Sequence, residues 1–410
     1  MQIRGLFADT APLRNVHFRR LWSANIITVI GAQLTVVAVP AQIYAITGSS
    51  AYVGLTGLFG LVPLVVFGLW GGALADVFDR RTILVVTTIG LIGTSAAFWL
   101  QAALGTDDVW LLLGLFAVQQ AFFAVNQPTR SAVLPKLLPV AQLPAANSLN
   151  MTVMQAGAIA SPLVGGALIP VIGFSWLYLA DTVTLFATLA AVVRLPRLPV
   201  EGAAGTPGLR AVIDGLSYLR GHPVLLMSFL VDLIAMVFGM PRALFPEIAH
   251  VDFGGPSEGG LAFALLFAAI PIGAVLGGVF SGWVSRVERQ GVAVVAAIVV
   301  WGLAITGFGL AVALADTART LMLSLAVLML VIGGAADMAS AAFRMSMLQA
   351  SASDAVRGRL QGVFIVVVAG GPRIADVAHG GAAAVAGTAA TAAGGGILVF
   401  VRYRLGAAVE

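Results

Sequence analysis

The sequence predicts an all-α membrane protein with twelve transmembrane helices arranged as two six-helix bundles, on three observations. Sixty per cent of the 410 residues are apolar and only 10% are charged, against roughly 25% charged in an ordinary soluble domain. The apolar residues fall into blocks of about twenty, and a helix of that length spans about 30 Å, the thickness of a bilayer's hydrocarbon core. The turns between the blocks are short and alternate in charge, basic on one side and acidic on the other. Backbone polar groups in lipid must be paired within their own segment, so each block reads as a helix.

In chain order the blocks are 18–45, 51–75, 82–104, 109–129, 146–169, 173–193, 223–246, 260–284, 291–314, 319–342, 358–380 and 384–403. The last two are rich in Ala and Gly, which leaves their turn anywhere from Gly380 to Thr391. The longest connection contains Pro196, Pro199, Gly202 and Pro207. It divides the chain into an N-terminal bundle (1–194), a linker (195–222) and a C-terminal bundle (223–410). The halves echo each other. Span two runs from Pro63 through Gly68, Gly71 and Gly72 into Asp79-Arg80-Arg81. Span eight runs from Pro271 through Gly277, Gly278 and Gly282 into Ser285-Arg286. Parallel six-helix halves around a central site are an architecture of secondary transporters.

Basic residues set the orientation. With both termini cytoplasmic, 19 of the 22 fall on the inner side, from Arg4 through Arg80, Arg81, Arg130, Lys136 and Arg344 to Arg404. Arg242 and Arg319 stand at outer helix ends and Arg373 within a span, while the outer loops carry Asp107, Asp108, Asp252, Glu258 and Asp316. A net charge of +4 spread over seven membrane-proximal segments excludes a nucleic-acid surface. The absence of cysteine excludes disulfides and thiolate metal sites, and four histidines leave little for a metal centre. No Walker loop, His-Glu-x-x-His or nucleophile elbow stands in a context that would give it chemistry. The expectation is therefore a non-enzyme with no cofactor and no metal. The N-terminus has no pattern of a removable signal peptide. Arginine in place of lysine, with heavy use of Ala, Gly and Val, is the bias of a GC-rich bacterial genome, which makes the membrane the bacterial cytoplasmic one.

Ionisable residues inside spans are expensive and mark function by default. Asp181 lies in span six, Asp232 in span seven, Asp337 in span ten, and Arg373 with Asp376 in span eleven. Asp232 stands nine residues past Pro223, about 13 Å deep, near the midplane where a proton or ligand site is needed. Asp337, seven residues before Arg344, is nearer the inner end and suits an interhelix pair or gate. Arg373 and Asp376 are spaced i, i+3 and share a face, which suits a structural salt bridge and a substrate or proton site equally. Asp181 has no partner nearby in sequence. Gln33, Gln42, Gln119, Gln120 and Asn126 would be costly facing lipid, so they face a central cavity or bond across helices. With no nucleotide site, the driving force is an ion gradient or the substrate's own. One charge crossing 100 mV is worth about 2.3 kcal/mol.

Two glycine-rich motifs complete the reading. Gly72-Ala73-Leu74-Ala75-Asp76-Val77-Phe78-Asp79-Arg80-Arg81 resembles the loop 2–3 signature of the major facilitator superfamily, with Val77 and Asp79 replacing the usual basic residue and glycine. Glycine lets helix ends approach closely, and aspartate can cap a neighbouring helix or pair with arginine. Gly72, Asp76, Asp79, Arg80 and Arg81 are thus a candidate cytoplasmic gate. Span five carries Gly157, Ser161, Pro162, Gly165 and Gly166, similar to the family's antiporter motif, whose small residues allow close packing and whose proline bends the helix. In the family that motif goes with export.

The order His17-Phe18-Arg19-Arg20-Leu21-Trp22, Val39-Pro40-Ala41-Gln42-Ile43, Pro241-Arg242-Ala243-Leu244-Phe245-Pro246 and Phe267-Ala268-Ala269-Ile270-Pro271 resembles the enterobactin-exporter type of facilitator as far as about residue 380. The resemblance implies the major facilitator fold and a monomer in the lipid bilayer. It also implies proton-driven export of a siderophore-like catecholate or another amphipathic small molecule. A multidrug efflux antiporter is the alternative, and a non-transporting membrane sensor or assembly partner a more distant one. Arg242 matches an arginine of that exporter type and either attracts an anionic cargo or anchors the outer face.

Overall fold

A computed structural model describes residues 9–198, 223–287, 289–351 and 354–406. It also leaves side chains outside the description at 69–77, 223–225, 228–229, 285, 348–369 and 401–406. The expected linker therefore falls outside the described residues from 199 onward.

Long helices follow the apolar blocks. They are α1 (Val16–Thr47), α2 (Ser50–Val77), α3 (Arg80–Ala103), α4 (Val109–Leu137), α5 (Leu143–Ser161) and α6 (Ala167–Val193). After the linker come α7 (Pro223–Gly239), α8 (Leu261–Val279), α9 (Gln290–Ala313), α10 (Arg319–Ser351), α11 (Asp354–Ala386) and α12 (Thr388–Gly406). Among the described residues, eight helical stretches are long and apolar enough to cross a membrane, Val140–Val193 being one continuous stretch. A π-helical turn, Pro162–Gly166, joins α5 to α6. The chain breaks at Gly173, whose φ of 78° and ψ of 167° are not helical. That conformation suits a residue without Cβ, and it falls where the fifth and sixth apolar blocks meet.

Capping sets several boundaries. Asp79 Oδ1 accepts from the Thr82 N–H at 3.2 Å and opens α3. Asp108 Oδ1 accepts from the Trp110 and Leu111 N–H groups at 2.8 and 3.2 Å and opens α4. Each satisfies first-turn donors that have no partner within the helix.

Several boundaries differ from the apolar blocks: α4 runs on to Leu137 and α10 to Ser351, past the ends of their blocks. α7 stops at Gly239, seven residues early, because Met240-Pro241 and Pro246 turn the chain through a 3-10 turn (Arg242–Leu244) and a π turn (Ile248–Asp252); proline cannot supply the N–H that would continue the helix. α8 stops at Val279 and gives way to a 3-10 turn, Ser281–Arg286. α11 continues to Ala386, and Gly387, at φ 80°, makes the turn into α12.

Packing groups the chain into two compact units. The first holds the described residues of Met1–Val39, Val62–Ser161 and Val171–Gly208. The second holds those of Pro40–Leu61, Pro162–Pro170 and Leu209–Glu410. The tip of the α1–α2 hairpin and the turn after α5 thus pack with the second half of the chain. Backbone approach explains how. On α2, Gly54, Gly57 and Gly60 leave no room for a methyl against Arg373 and Asp376 of α11, and Gly380 meets Ser50 and Gly54 in the same way. Gly166 lies against Phe263 and Ala264 of α8, and its carbonyl accepts from the Gly260 N–H at 2.8 Å.

Candidate functional site

In the first unit, Asp181 on α6 is 1% exposed. Its Oδ2 accepts from Thr35 Oγ1 of α1 at 2.8 Å and from Ser95 Oγ of α3 at 2.9 Å. Thr182 Oγ1 lies 3.1 Å from Ser95 Oγ and extends the network. Asp181 Oδ1 has no hydrogen-bond partner among the described residues. Gly31 of α1 packs on the Asp181 backbone, where any side chain would collide with it. Hydroxyls that donate to one carboxylate oxygen and leave the other open make a site able to hold or release a proton without a fixed counter-charge.

In the second unit, Asp232 on α7 is 2% exposed and forms an ion pair through Oδ1 with Arg344 Nη1 of α10. This revises two expectations. Arg344, counted among the cytoplasmic arginines, is 6% exposed. Asp232, expected near the midplane as a proton or ligand site, holds an interhelix pair of the kind expected of Asp337. The cause is local: Arg344 Nε donates to the Ser340 carbonyl at 3.3 Å, one turn back. This folds the guanidinium into the bundle instead of letting it reach for water. Asp337 is half-buried on the same helix.

Arg373 and Asp376 do share a face of α11, but they act as a trio with Arg242. Both guanidiniums bear electrostatically on the Asp376 carboxyl. The Arg373 guanidinium lies against Gly60 of α2. Arg242 sits 5.8 Å above the centre of the Phe267 ring, within range of a cation–π contact. Phe267 belongs to an aromatic cluster, 5.3 Å from Phe245 and 4.7 Å from Phe263 between ring centres. Two guanidiniums that bear on one carboxyl, beside an aromatic cluster and with Glu247 in the adjoining turn, make a charged and aromatic constellation.

The charged turn at Asp79 serves the first unit. Asp79 Oδ2 accepts from the Leu198 N–H at 3.0 Å, Arg81 Nη2 donates to the Val193 carbonyl at 2.6 Å, and Arg80 Nη1 donates to the Ala132 carbonyl at 3.3 Å. These arginines sit on the carbonyl ends of α6 and α4, the negative poles of those helices. Gly72 and Asp76 fall where the side chains lie outside the described residues. In the span-five motif, Gly157 packs on Val29 of α1 and Ser161 Oγ donates to the Ile30 carbonyl at 3.2 Å, while Pro162, Gly165 and Gly166 form the π turn beside α8.

The polar residues divide. Asn126 Nδ2 donates to Thr87 Oγ1 at 2.8 Å, an α3–α4 bond. Gln120 and Gln42 are buried, each with a partner. Gln33 and Gln119 are half-buried, Gln33 near Gly157. The sequence did not reveal Thr35 and Ser95 as partners, because ordinary hydroxyl residues 146 and 86 positions from Asp181 carry no signal of pairing. Glu247 was also missed: its Oε2 accepts from the Ser50 N–H at 3.0 Å and caps α2 from 197 residues away.

Apolar helices of spanning length, with buried charges held by neighbouring helices, define a polytopic membrane protein. The chain belongs to the transmembrane secretion effector family, whose model matches residues 7–409. It is similar to the enterobactin exporter EntS of Escherichia coli O1:K1 / APEC, with 29% identity over 393 residues, 93% of this chain and 89% of the relative. The same figures hold for the enterobactin exporter EntS of Shigella boydii serotype 18. Among solved structures, the nucleoside transporter NupG matches with a TM-score of 0.71 at 14% identity, covering 95% of this chain and 98% of that one. A bacterial homologue of the human lysosomal transporter Spinster matches with a TM-score of 0.70 at 17% identity, covering 98% and 96%. At such identities the structures speak to the fold alone, which this chain shares with them.

Proposed function

We propose that the protein is a proton-driven exporter in the bacterial cytoplasmic membrane. It moves a siderophore-like catecholate, or a related amphipathic anion, outward by alternating access. The observation that carries this is the similarity to enterobactin exporters along 93% of the chain. The constellation of Arg242, Arg373 and Phe267 supports it, since a catecholate offers an anionic oxygen to the guanidiniums and a ring to the aromatic floor. In this scheme two six-helix bundles, 1–194 and 223–410, rock about the linker 195–222 in a monomer with both termini cytoplasmic. The turn at Asp76–Arg81 is the candidate gate of the inner face. Asp181, Asp232, Asp337 and Asp376 are the carboxylates available for coupling. A strain that makes a catecholate siderophore but lacks this gene is expected to retain the siderophore inside, with secretion restored by the wild-type gene. Normal secretion by the deletion strain removes the cargo assignment. Unchanged siderophore movement together with raised drug resistance on overexpression supports multidrug efflux instead.

A further inference from the structure

α11 carries a histidine, His379, that is 3% exposed and belongs to none of the constellations above. Its Nδ1 lies 3.0 Å from the Ala375 carbonyl oxygen on its own helix, and its Nε2 lies 3.1 Å from the Phe238 carbonyl oxygen on α7. Both partners are acceptors only. A neutral imidazole has one N–H and one lone pair, so either tautomer satisfies one carbonyl and turns a lone pair on the other. Only the imidazolium donates to both.

Burial by itself disfavours a cation, and the two carbonyls and the helix end are what offset that cost here. Phe238 is the next-to-last residue of α7, so its carbonyl is among those at a helix C-terminus that have no intrahelical donor. That end is the negative pole of the helix and attracts a positive charge. α12 closes the site: a methyl on Gly395 would crowd both Nε2 and the Phe238 carbonyl. The charged and titratable groups on the elements packed here include Asp232 on α7 with its partner Arg344 of α10, Arg242, Glu247 and Asp252 in the turns after α7, Arg373 and Asp376 on α11, and Tyr52 on the end of α2 that meets Gly380; Glu247 holds the Ser50 N–H there, and Asp252 accepts from Thr388 of α12. α12 presents glycine at this level, and the side chains of its Arg402, Tyr403 and Arg404 lie outside the described residues. Asp376, one turn from His379, is the nearest carboxylate along the helix.

The geometry points to His379 as a proton-binding site, occupied in this conformation by an imidazolium that bridges α11 to the C-terminal carbonyl of α7. Uptake places the second N–H on whichever ring nitrogen lacked one. Withdrawal of the α7 end removes one acceptor, and the proton leaves a neutral ring bonded to Ala375 alone. The site therefore ties proton occupancy to the separation of α7 and α11. Its role in coupling rests on the proton-driven export proposed above; its protonation state does not.

Solid-state NMR of the full-length protein in lipid bilayers, with 15N-labelled histidine, reads the ring nitrogens directly. Four histidines contribute, and His379→Gln identifies the resonances by their loss. At about pH 7.5, a unit above the ordinary histidine value, His379 is expected to show two protonated nitrogens. One protonated and one bare nitrogen overturns the proposal. Should His379→Gln fail to fold, Gly395→Ala serves in its place: it is expected to convert the imidazolium pattern to a neutral one, and an unchanged pattern counts against the bridge. With enterobactin as the probe in proteoliposomes, His379→Gln is expected to lose gradient-driven movement at least tenfold while keeping exchange between equal pools. Equal loss of both overturns the coupling role. If the wild type moves no enterobactin, the cargo assignment fails, and the NMR result still decides the proton site.

Discussion

Asp181 and Asp232 are both sealed carboxylates, 1% and 2% exposed, yet they are held in opposite ways. Asp181 is held by hydroxyls: Thr35 and Ser95 donate to one oxygen, and no cation among the described residues pairs with it. Asp232 is held by a guanidinium, that of Arg344. A hydroxyl cage tolerates either protonation state, because a hydroxyl can donate or accept. An ion pair favours the charged state, since protonating the carboxylate would cost the buried Arg344 this counter-charge. The contrast teaches that depth within a span marks a carboxylate as important, whereas its partners decide between exchanging protons and fixing two helices.

The largest effect expected comes from breaking the ion pair. Arg344→Ala should destabilise the protein by about 3–5 kcal/mol, because Asp232 is left as an uncompensated buried charge. Replacing both residues with leucine should recover much of that loss. Thermal unfolding in detergent micelles measures both, and a double variant no better than the single one argues against the pairing. Asp232→Asn also tests coupling: proton-driven export that persists unchanged confines Asp232 to a structural role.

Packing around the carboxylate gives the next test. Gly31→Ala pushes a methyl into the backbone of Asp181, which cannot yield, and should cost about 1–3 kcal/mol. Gly60→Ala meets only the far end of the Arg373 side chain, which can swing away, so it should cost less than Gly31→Ala. A reversed order of melting temperatures contradicts this view of the two units.

Removing the hydroxyls is milder. Thr35→Val and Ser95→Ala should each cost about 1 kcal/mol, and Asp181→Asn should be similarly mild because the amide oxygen still accepts. If Asp181→Asn is instead as damaging as Arg344→Ala, a cation outside the described residues pairs with Asp181.

A further effect concerns pH and a carboxyl outside the spans. Burial pushes Asp252 up from 3.8 to about 6, Glu247 and Asp316 adding to the shift and the Thr388 hydrogen bond opposing it. A carboxyl whose pKa is raised on folding binds its proton more tightly in the folded state. Its contribution is therefore fully present below about pH 4 and is lost as pH rises through about 6. Solvent screening at this partly exposed site holds the effect to about 1–2 kcal/mol. Asp252→Asn should flatten that part of the stability–pH profile, and an unchanged slope assigns it to other groups.

Most of the fold was legible in the sequence because the bilayer enforces a single rule: an apolar run of spanning length must be a helix. Gly173 and Gly387 show the limit of that rule. The junction at Gly173 was readable as the seam between two apolar blocks. Gly387 lies in a run of Ala and Gly where hydropathy cannot choose among several glycines, and only the backbone angle locates the turn. The early end of α7 had a local signal, Met240-Pro241 followed by Pro246, which the apolar continuity through Leu244 and Phe245 concealed.

The candidate site was half legible. Every buried aspartate stood out as a charge in an apolar run, but partners contributed by other helices did not. Arg344 looked like a cytoplasmic arginine because its side chain's turn back toward Ser340 is not a property of sequence. His379 gave no signal at all: its second acceptor is a backbone carbonyl 141 residues away, and any residue carries one.

Transport itself tests the central claim most directly. Inside-out membrane vesicles containing the protein, energised by a proton gradient, are offered enterobactin and the internal pool is measured. Accumulation well above that of vesicles without the protein, abolished by a protonophore, is the predicted result. No accumulation, or accumulation indifferent to the protonophore, contradicts proton-driven export of a catecholate.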